Sequence, residues 1–180
     1  MPSVLSHPAV PLALAIGAGT DVVPTRLAVV GCVASALPDA DAVGYWLGVP
    51  YDSLLGHRGL THSLAFAVVV AAFCSMFAAR LGASVPVVFG VVFLCTASHG
   101  ALDAMTTGGT GVAFFSPFSN QRYFFPWRMI EVAPISVRRF VSERGIAVLK
   151  SELRWVWLPC AVLALVGAGV RRVSRVPGRS

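Results

Sequence analysis

The 180-residue chain is 56% hydrophobic and only 12% charged, whereas soluble domains carry about 25% charged residues. Together with a mean hydropathy of +0.76, this composition excludes an ordinary soluble domain and indicates an integral membrane protein. The formal charge of +6 comes from basic residues in the tail and in one long loop, so it predicts membrane-flanking charge and no nucleic-acid surface.

Apolar segments, taken in chain order, predict a bundle of membrane helices. Residues 8–19 and 27–37 are short apolar segments, whereas residues 64–81, 85–102 and 155–170 are longer. About 20 apolar residues cross the roughly 30 Å hydrocarbon core. The longer segments are therefore predicted to span, and the short ones to form tilted spans or a re-entrant pair. The first segment lacks the basic flank of a signal peptide and is expected to be retained.

The sequence thus predicts an all-α fold, a polytopic membrane helix bundle of four to five helices with a long ordered loop between the last two. We expect a single integral membrane domain over residues 1–180. Its predicted parts are the helices that carry most of the candidate metal-site residues (7–104), an interfacial loop (105–154), a C-terminal membrane helix (155–170) and a basic tail (171–180). Within the loop, the composition of residues 134–150 is compatible with an amphipathic interfacial helix.

The alternation of the spans predicts where polar residues meet. If the predicted segments cross in turn, all four histidines reach the same membrane face. Four of the five aspartates reach that face as well, namely Asp39, Asp41, Asp52 and Asp103. Only Asp21 falls on the opposite face. A re-entrant N-terminal pair gives the same result.

Two polar clusters lie between the second and third apolar segments. Asp39 and Asp41 follow an apolar helix, and carboxylates in this position need a partner, a proton or a cation. An ordinary capped loop would also explain them. His57, Arg58 and His62 lie where a loop becomes a membrane helix, and the Arg58 guanidinium could bind a phosphate oxygen. Polar residues that merely start the helix are the alternative interpretation.

The third cluster lies at the end of an apolar helix. His99 and Asp103 are four residues apart, so they share one helix face. Asp103 could ligate a metal directly or hold the tautomer of His99, and a purely structural hydrogen bond is the alternative. His7 stands at the start of the first helix, either as a ligand or as an interfacial residue.

Imidazole and carboxylate groups together form the ligand set of zinc and related hydrolytic metals. Such an ion brings the pKa of bound water toward ~7 and so provides a nucleophile. The combined clusters therefore predict a divalent-metal site of one or more ions at one face of the bilayer.

At these residues the sequence resembles the YdjM-like family of bacterial membrane-bound metal-dependent hydrolases. The matching motifs are Leu-Pro-Asp-Ala-Asp at 37–41, His-Arg-Gly-Leu-Thr-His-Ser at 57–63 and His-Gly-Ala-Leu-Asp-Ala-Met-Thr at 99–106, together with residues 116–127 and 130–135. That family is distantly similar to zinc-dependent phospholipases C and single-strand nucleases, which cleave phosphodiesters with clustered zinc ions.

The resemblance implies an all-helical, multi-pass inner-membrane protein with a divalent-metal site. The implied ligands are Asp39, Asp41, His57, His62, His99 and Asp103, with His7 as a further candidate.

From the residues and the resemblance together, we expect a metal-dependent hydrolase that cleaves a phosphoester, with a membrane-lipid headgroup as the most economical substrate. His57 and Arg58 are the predicted catalytic residues, and Arg58 and Arg122 are predicted to neutralise phosphate charge. One alternative is a non-catalytic metal-binding membrane protein that acts in transport or envelope remodelling. Membrane segments with almost no charge in their middles disfavour ion transport. Another alternative is an interaction protein whose long loop recruits a partner.

Overall fold

The computed structural model describes residues 1–134 and 136–175. Within these residues the fold is all-helical and contains no β-strand. The α-helices are α1 (Ala9–Ala18), α2 (Thr25–Ala36), α3 (Val43–Trp46), α4 (Leu64–Ser75), α5 (Ala78–Leu81), α6 (Val85–Ala104), α7 (Val137–Phe140), α8 (Glu143–Glu152) and α9 (Leu158–Ser174). The 3₁₀ turns Leu37–Ala42 and Leu60–His62 and the π-helical turn Leu153–Trp157 complete the helical elements.

Three continuous helical segments are long and apolar enough to cross a membrane, Thr25–Trp46, Val85–Ala104 and Glu143–Ser174. The apolar helices α1 and α4 have only 10 and 12 residues. At 1.5 Å per residue the longer of the two rises about 18 Å, which is less than the hydrocarbon thickness. The predicted count of four to five membrane helices is therefore not matched exactly.

Several predicted boundaries are corrected by the structure. The predicted span 64–81 is interrupted at Met76 and Phe77, between α4 and α5. The polar region between the second and third apolar segments, which we expected to be a loop over residues 38–59, begins as helix, because the 3₁₀ turn Leu37–Ala42 carries α2 directly into α3. The two aspartates of that turn therefore lie on a helical extension of a membrane helix.

The C-terminal helix is much longer than residues 155–170. It begins at Glu143, where the hydroxyl of Ser142 accepts a hydrogen bond from the amide of Arg144, and it continues to Ser174. The predicted interfacial loop 105–154 therefore ends near residue 142. The amphipathic helix predicted over residues 134–150 is replaced by α7 and α8, and residue 135 lies outside the described residues. Of the predicted tail, residues 171–174 complete α9, and residues 176–180 lie outside them.

Helix α6 is the central element and packs against both α2 and α4. Apolar side chains form the core between these helices, chiefly Val23, Leu27, Ala34, Ala71, Ala78, Val88 and Val92. Helix α1 packs against α9. A Cβ added to Gly167 would lie 2.9 Å from the Cα of Gly17, and such small-residue contacts let membrane helices approach closely.

The two ends of the bundle differ in chemistry. At one end Arg26 donates a hydrogen bond to the carbonyl of Arg80 at 3.2 Å, and Asp21 pairs with Arg175. The histidines gather at the other end, described below. This separation agrees with the predicted alternation of the segments.

Candidate metal centre

Four parts of the chain bring polar side chains together at one end of the bundle. His7 directly precedes α1, and Asp39 lies in the 3₁₀ turn that extends α2. His62 ends the 3₁₀ turn that precedes α4, where Ser63 caps that helix by accepting a hydrogen bond from the amide of Phe66. His99 and Asp103 lie in the last turns of α6.

The centre of the cluster is a close approach of two imidazoles. The Nε2 atoms of His62 and His99 lie 3.1 Å apart. The Oδ1 atom of Asp39 is 3.3 Å from Nε2 of His99 and 3.8 Å from Nε2 of His62. Oδ2 of Asp103 lies 3.5 Å from Nε2 of His62. Two nitrogens and two carboxylate oxygens thus converge on one small volume.

The orientation of His99 is fixed by the backbone of α2. Its Nδ1 lies 2.7 Å from the carbonyl oxygen of Ser35, and a carbonyl oxygen can only accept. The proton of neutral His99 is therefore assigned to Nδ1, and Nε2 presents a lone pair to the cluster. A hydrogen bond of this kind, on the ring nitrogen that faces away from the site, is the usual support of a metal-binding histidine.

Asp41 supports the cluster from one side. Its Oδ1 lies 2.6 Å from Nδ1 of His57, and its Oδ2 accepts a hydrogen bond from Thr61 at 2.6 Å. The same Oδ2 is 3.2 Å from Nδ1 of His62. Since both oxygens are engaged, the geometry favours Asp41 as a residue that orients His57 and His62 over the direct ligand role predicted for it.

Arg58 is placed behind Asp103 and is almost fully buried. Its Nε lies 3.0 Å from Oδ2 of Asp103, an ion pair by distance although it lacks hydrogen-bond geometry. Its terminal nitrogens donate to the carbonyl of Gly108 and the hydroxyl of Thr106, both at 3.0 Å. The backbone of Arg58 has a φ of 63°, which costs a non-glycine residue about 1–2 kcal/mol.

His7 completes the cluster on the far side of His99. The two rings stack with centroids 3.8 Å apart, and Nε2 of His7 is 3.8 Å from Oδ2 of Asp39. Burial lowers the pKa of His7 to about 3, and electrostatic repulsion between the stacked His7 and His99 rings, were both protonated, acts in the same direction. His7 is therefore held neutral, the form in which imidazole binds metals.

With its histidines neutral, the cluster has more carboxylates than cationic groups. The largely buried carboxylates of Asp39, Asp41 and Asp103 face one guanidinium, that of Arg58, and the amino group of Met1 at 3.9 Å from Asp103. Burial acts to lower the pKa of His62, but the three neighbouring carboxylates of Asp39, Asp41 and Asp103 outweigh it and raise that pKa to about 10. An environment of this kind stabilises a cation.

The residues fit a divalent cation. One set of donor atoms within 4.8 Å of one another comes from Asp39, His57, His62 and Asp103, and a second comes from His7, His99 and Asp103. Within residues 1–134 and 136–175, both ring nitrogens of His7 and all four carboxylate oxygens of Asp39 and Asp103 are buried without a hydrogen-bond partner. Buried polar atoms rarely stay unpaired, so these atoms are candidate ligands.

Two predicted residues lie away from this centre. The Arg122 guanidinium donates to the carbonyls of His57 at 3.0 Å and Tyr51 at 2.9 Å, so it ties the long loop to the segment before α4. Asp52 is exposed and accepts a hydrogen bond from Thr110 at 3.2 Å. Neither belongs to the two donor sets.

Sequence reasoning missed the residues that fix the N-terminal segment. Glu152 is almost fully buried, and its carboxylate accepts hydrogen bonds from the amide and hydroxyl of Ser3, the latter at 2.7 Å, and from the hydroxyl of Ser6 at 2.8 Å. This contact holds the segment that carries His7 against the C-terminal helix. The sequence signal that could have indicated this contact is Glu152 itself, a single acidic residue beside the apolar segment 155–170.

A helical membrane bundle with a buried histidine–aspartate cluster at one end defines an integral membrane protein with a candidate metal centre. The sequence model of the YdjM inner membrane protein family matches residues 1–176, and the chain belongs to that family. It is 44% identical over 165 residues to the inner membrane protein YbcI of Escherichia coli (strain K12), covering 91% of this chain and 95% of that protein. The chain is therefore an inner-membrane protein, as predicted. No solved structure matches it.

Proposed function

We propose that the protein is a divalent-metal-dependent hydrolase of the inner membrane that cleaves a phosphoester. The observation that carries this proposal is the approach of Nε2 of His62 and Nε2 of His99 to 3.1 Å, beside buried carboxylate oxygens that have no hydrogen-bond partner. Ring nitrogens and carboxylates are arranged in this way in hydrolytic metal sites.

The proposed ligands are His62, His99, Asp39 and Asp103, whose donor atoms converge. His7 is added because it forms a donor set with His99 and Asp103. Zinc is the preferred ion because imidazole and carboxylate form its usual ligand set outside thiolate sites. When bound, such an ion supplies an activated water near neutral pH and neutralises phosphate charge. Proton transfer and positioning are assigned to the protein's own side chains.

His57 is the proposed proton acceptor. Its Nδ1 lies 2.6 Å from Oδ1 of Asp41, so the carboxylate keeps a proton on Nδ1 and leaves Nε2 free to take one. A base held by a carboxylate in this way is a recurrent arrangement in hydrolytic sites. The buried ring of His57 lies beside the rings of Tyr45 and Tyr51, with centroids 5.8 and 5.6 Å away.

The arginines take positioning roles in this proposal. The Arg58 guanidinium is committed to Asp103 and two neighbouring oxygens, so it holds that carboxylate in place instead of binding phosphate. Arg122 would bind a phosphate only after giving up its bonds to two backbone carbonyls.

The test compares purified wild type with His99→Ala and with Asp52→Asn, an exposed aspartate that serves as the matched control. Each protein, loaded with Zn²⁺ in detergent, is assayed on bis(p-nitrophenyl) phosphate and on phospholipid. We expect His99→Ala to lose turnover to background while Asp52→Asn keeps it. Equal turnover by the His99→Ala variant contradicts the proposal. Stoichiometric metal without turnover on either ester favours a non-catalytic metal-binding protein.

A further inference from the structure

An apolar groove runs between α1, α4, α6 and the long loop, with a volume of about 580 Å³. This volume lies within the roughly 300–1,000 Å³ of small-molecule sites. Its lining is almost wholly apolar and includes Val10, Leu64, Leu94, Ala97, Ala101 and Phe114.

The groove is lined by the same chain segments that supply the candidate metal centre. Three of the segments that supply the histidines also line it: Val10 is three residues after His7, Leu64 is two residues after His62, and Ser98 is adjacent to His99. The long loop is tied to α4 at the groove, because the carbonyl of Phe114 accepts a hydrogen bond from the amide of Leu64 at 3.0 Å and both residues line the groove.

The occupant follows from the surroundings of the groove. Its walls are apolar helices of an inner-membrane protein, among them the membrane-spanning α6. Aromatic side chains of the loop cover it, with Phe114 and Phe125 stacked 6.1 Å apart. An apolar groove in an inner-membrane protein, with walls formed by segments that also carry a charged cluster, suits a lipid with one chain in the groove and its headgroup toward the cluster.

We propose that this groove holds an acyl chain of a membrane phospholipid whose phosphoester lies at the histidine–aspartate cluster. The inference rests on the proposed function and names its substrate class. The short helices α1 and α4, which line the groove, are consistent with it, because at 10 and 12 residues neither is long enough to cross the hydrocarbon core alone.

The experiment fills the groove with Ala97→Phe and compares it with Ala72→Phe, which alters an exposed position of α4 outside the groove. Phosphatidylethanolamine retained per chain after detergent exchange is counted by mass spectrometry. Turnover of phosphatidylethanolamine and of bis(p-nitrophenyl) phosphate is measured on the same samples. Ala101→Leu is a milder groove variant for use if the larger side chain prevents folding.

We expect the groove variant to retain at least tenfold less phosphatidylethanolamine and to hydrolyse it at least tenfold more slowly, with bis(p-nitrophenyl) phosphate turnover within about twofold of wild type. If the wild type hydrolyses neither ester and the groove variant still loses retained lipid, the groove is supported and the proposed hydrolase function is contradicted. Lipid retention equal to that of Ala72→Phe overturns the inference, whatever the turnover.

Discussion

Asp41→Asn removes a carboxylate that orients two histidines of the candidate metal centre. In the native site the two Asp41 oxygens contact Nδ1 of His57 at 2.6 Å, the hydroxyl of Thr61 at 2.6 Å and Nδ1 of His62 at 3.2 Å. An asparagine keeps one acceptor oxygen and turns its amide N–H₂ toward the other side. At least one of these donors therefore loses its partner.

The expected loss follows from this supporting role. Loss of a group that orients a metal ligand typically lowers metal affinity about 10–100-fold, which corresponds to roughly 1.4–2.7 kcal/mol. Asp39→Asn, which removes a proposed ligand, should lower the affinity further. Asp52→Asn should leave it unchanged, because that side chain is exposed and lies outside the donor sets.

The assay is a competition for Zn²⁺ between each purified variant and a chromogenic chelator in the same detergent. We expect the Zn²⁺ affinity to fall in the order wild type, Asp41→Asn, Asp39→Asn, with the Asp52→Asn control equal to wild type. This expectation is refuted if Asp41→Asn binds Zn²⁺ as tightly as the Asp52→Asn control.

Two further predictions concern the scaffold of the site. Glu152→Gln should lower the free energy of unfolding by about 1.5–3 kcal/mol, because buried hydrogen bonds to a charged group are lost. The control Glu131→Gln, at an exposed surface ion pair, should lower it by under about 1 kcal/mol. Equal effects of the two variants in denaturant titration contradict this. Gly100→Ala places a Cβ 2.8 Å from the carbonyl oxygen of His62, so we expect a loss of about 1–3 kcal/mol. Gly90→Ala, in open space, should instead stabilise by about 0.5–1 kcal/mol, and a stable Gly100→Ala variant would show that α6 can move away from the turn before α4.

The meeting of the histidines could be predicted because it depends on span direction alone. Alternating apolar segments determine at which face each connecting residue emerges, so His7, His62 and His99 were assigned to one end without tertiary information. The structure brings these three residues, with Asp39 and Asp103, into one cluster.

The partners of the charged residues could not be predicted in the same way. An arginine near a metal motif can bind either a substrate phosphate or a carboxylate. Only the packing of α6 against the turn before α4 brings Arg58 into its ion pair with Asp103. Long-range contacts also explain why the C-terminal helix was predicted too short. Glu152 reads as a loop residue in sequence, yet its carboxylate is satisfied by serines about 150 positions away.

The extension of α2 was missed because local signals pointed elsewhere. Pro38 and two aspartates are typical of a loop, but proline is tolerated in the first turn of a helix. The 3₁₀ turn Leu37–Ala42 uses it there. As a result Asp39 is held on a rigid helical segment, which is the more favourable support for a ligand.

The central claim, that these imidazoles and carboxylates share a cation, is tested most directly by zinc X-ray absorption spectroscopy on the purified protein. We predict stoichiometric Zn²⁺ in a shell of nitrogen and oxygen atoms at about 2.0–2.2 Å, with an imidazole signal that decreases in the His99→Ala variant. A protein that binds no stoichiometric ion, or whose ion has sulfur ligands or the same spectrum after His99→Ala, would contradict the account.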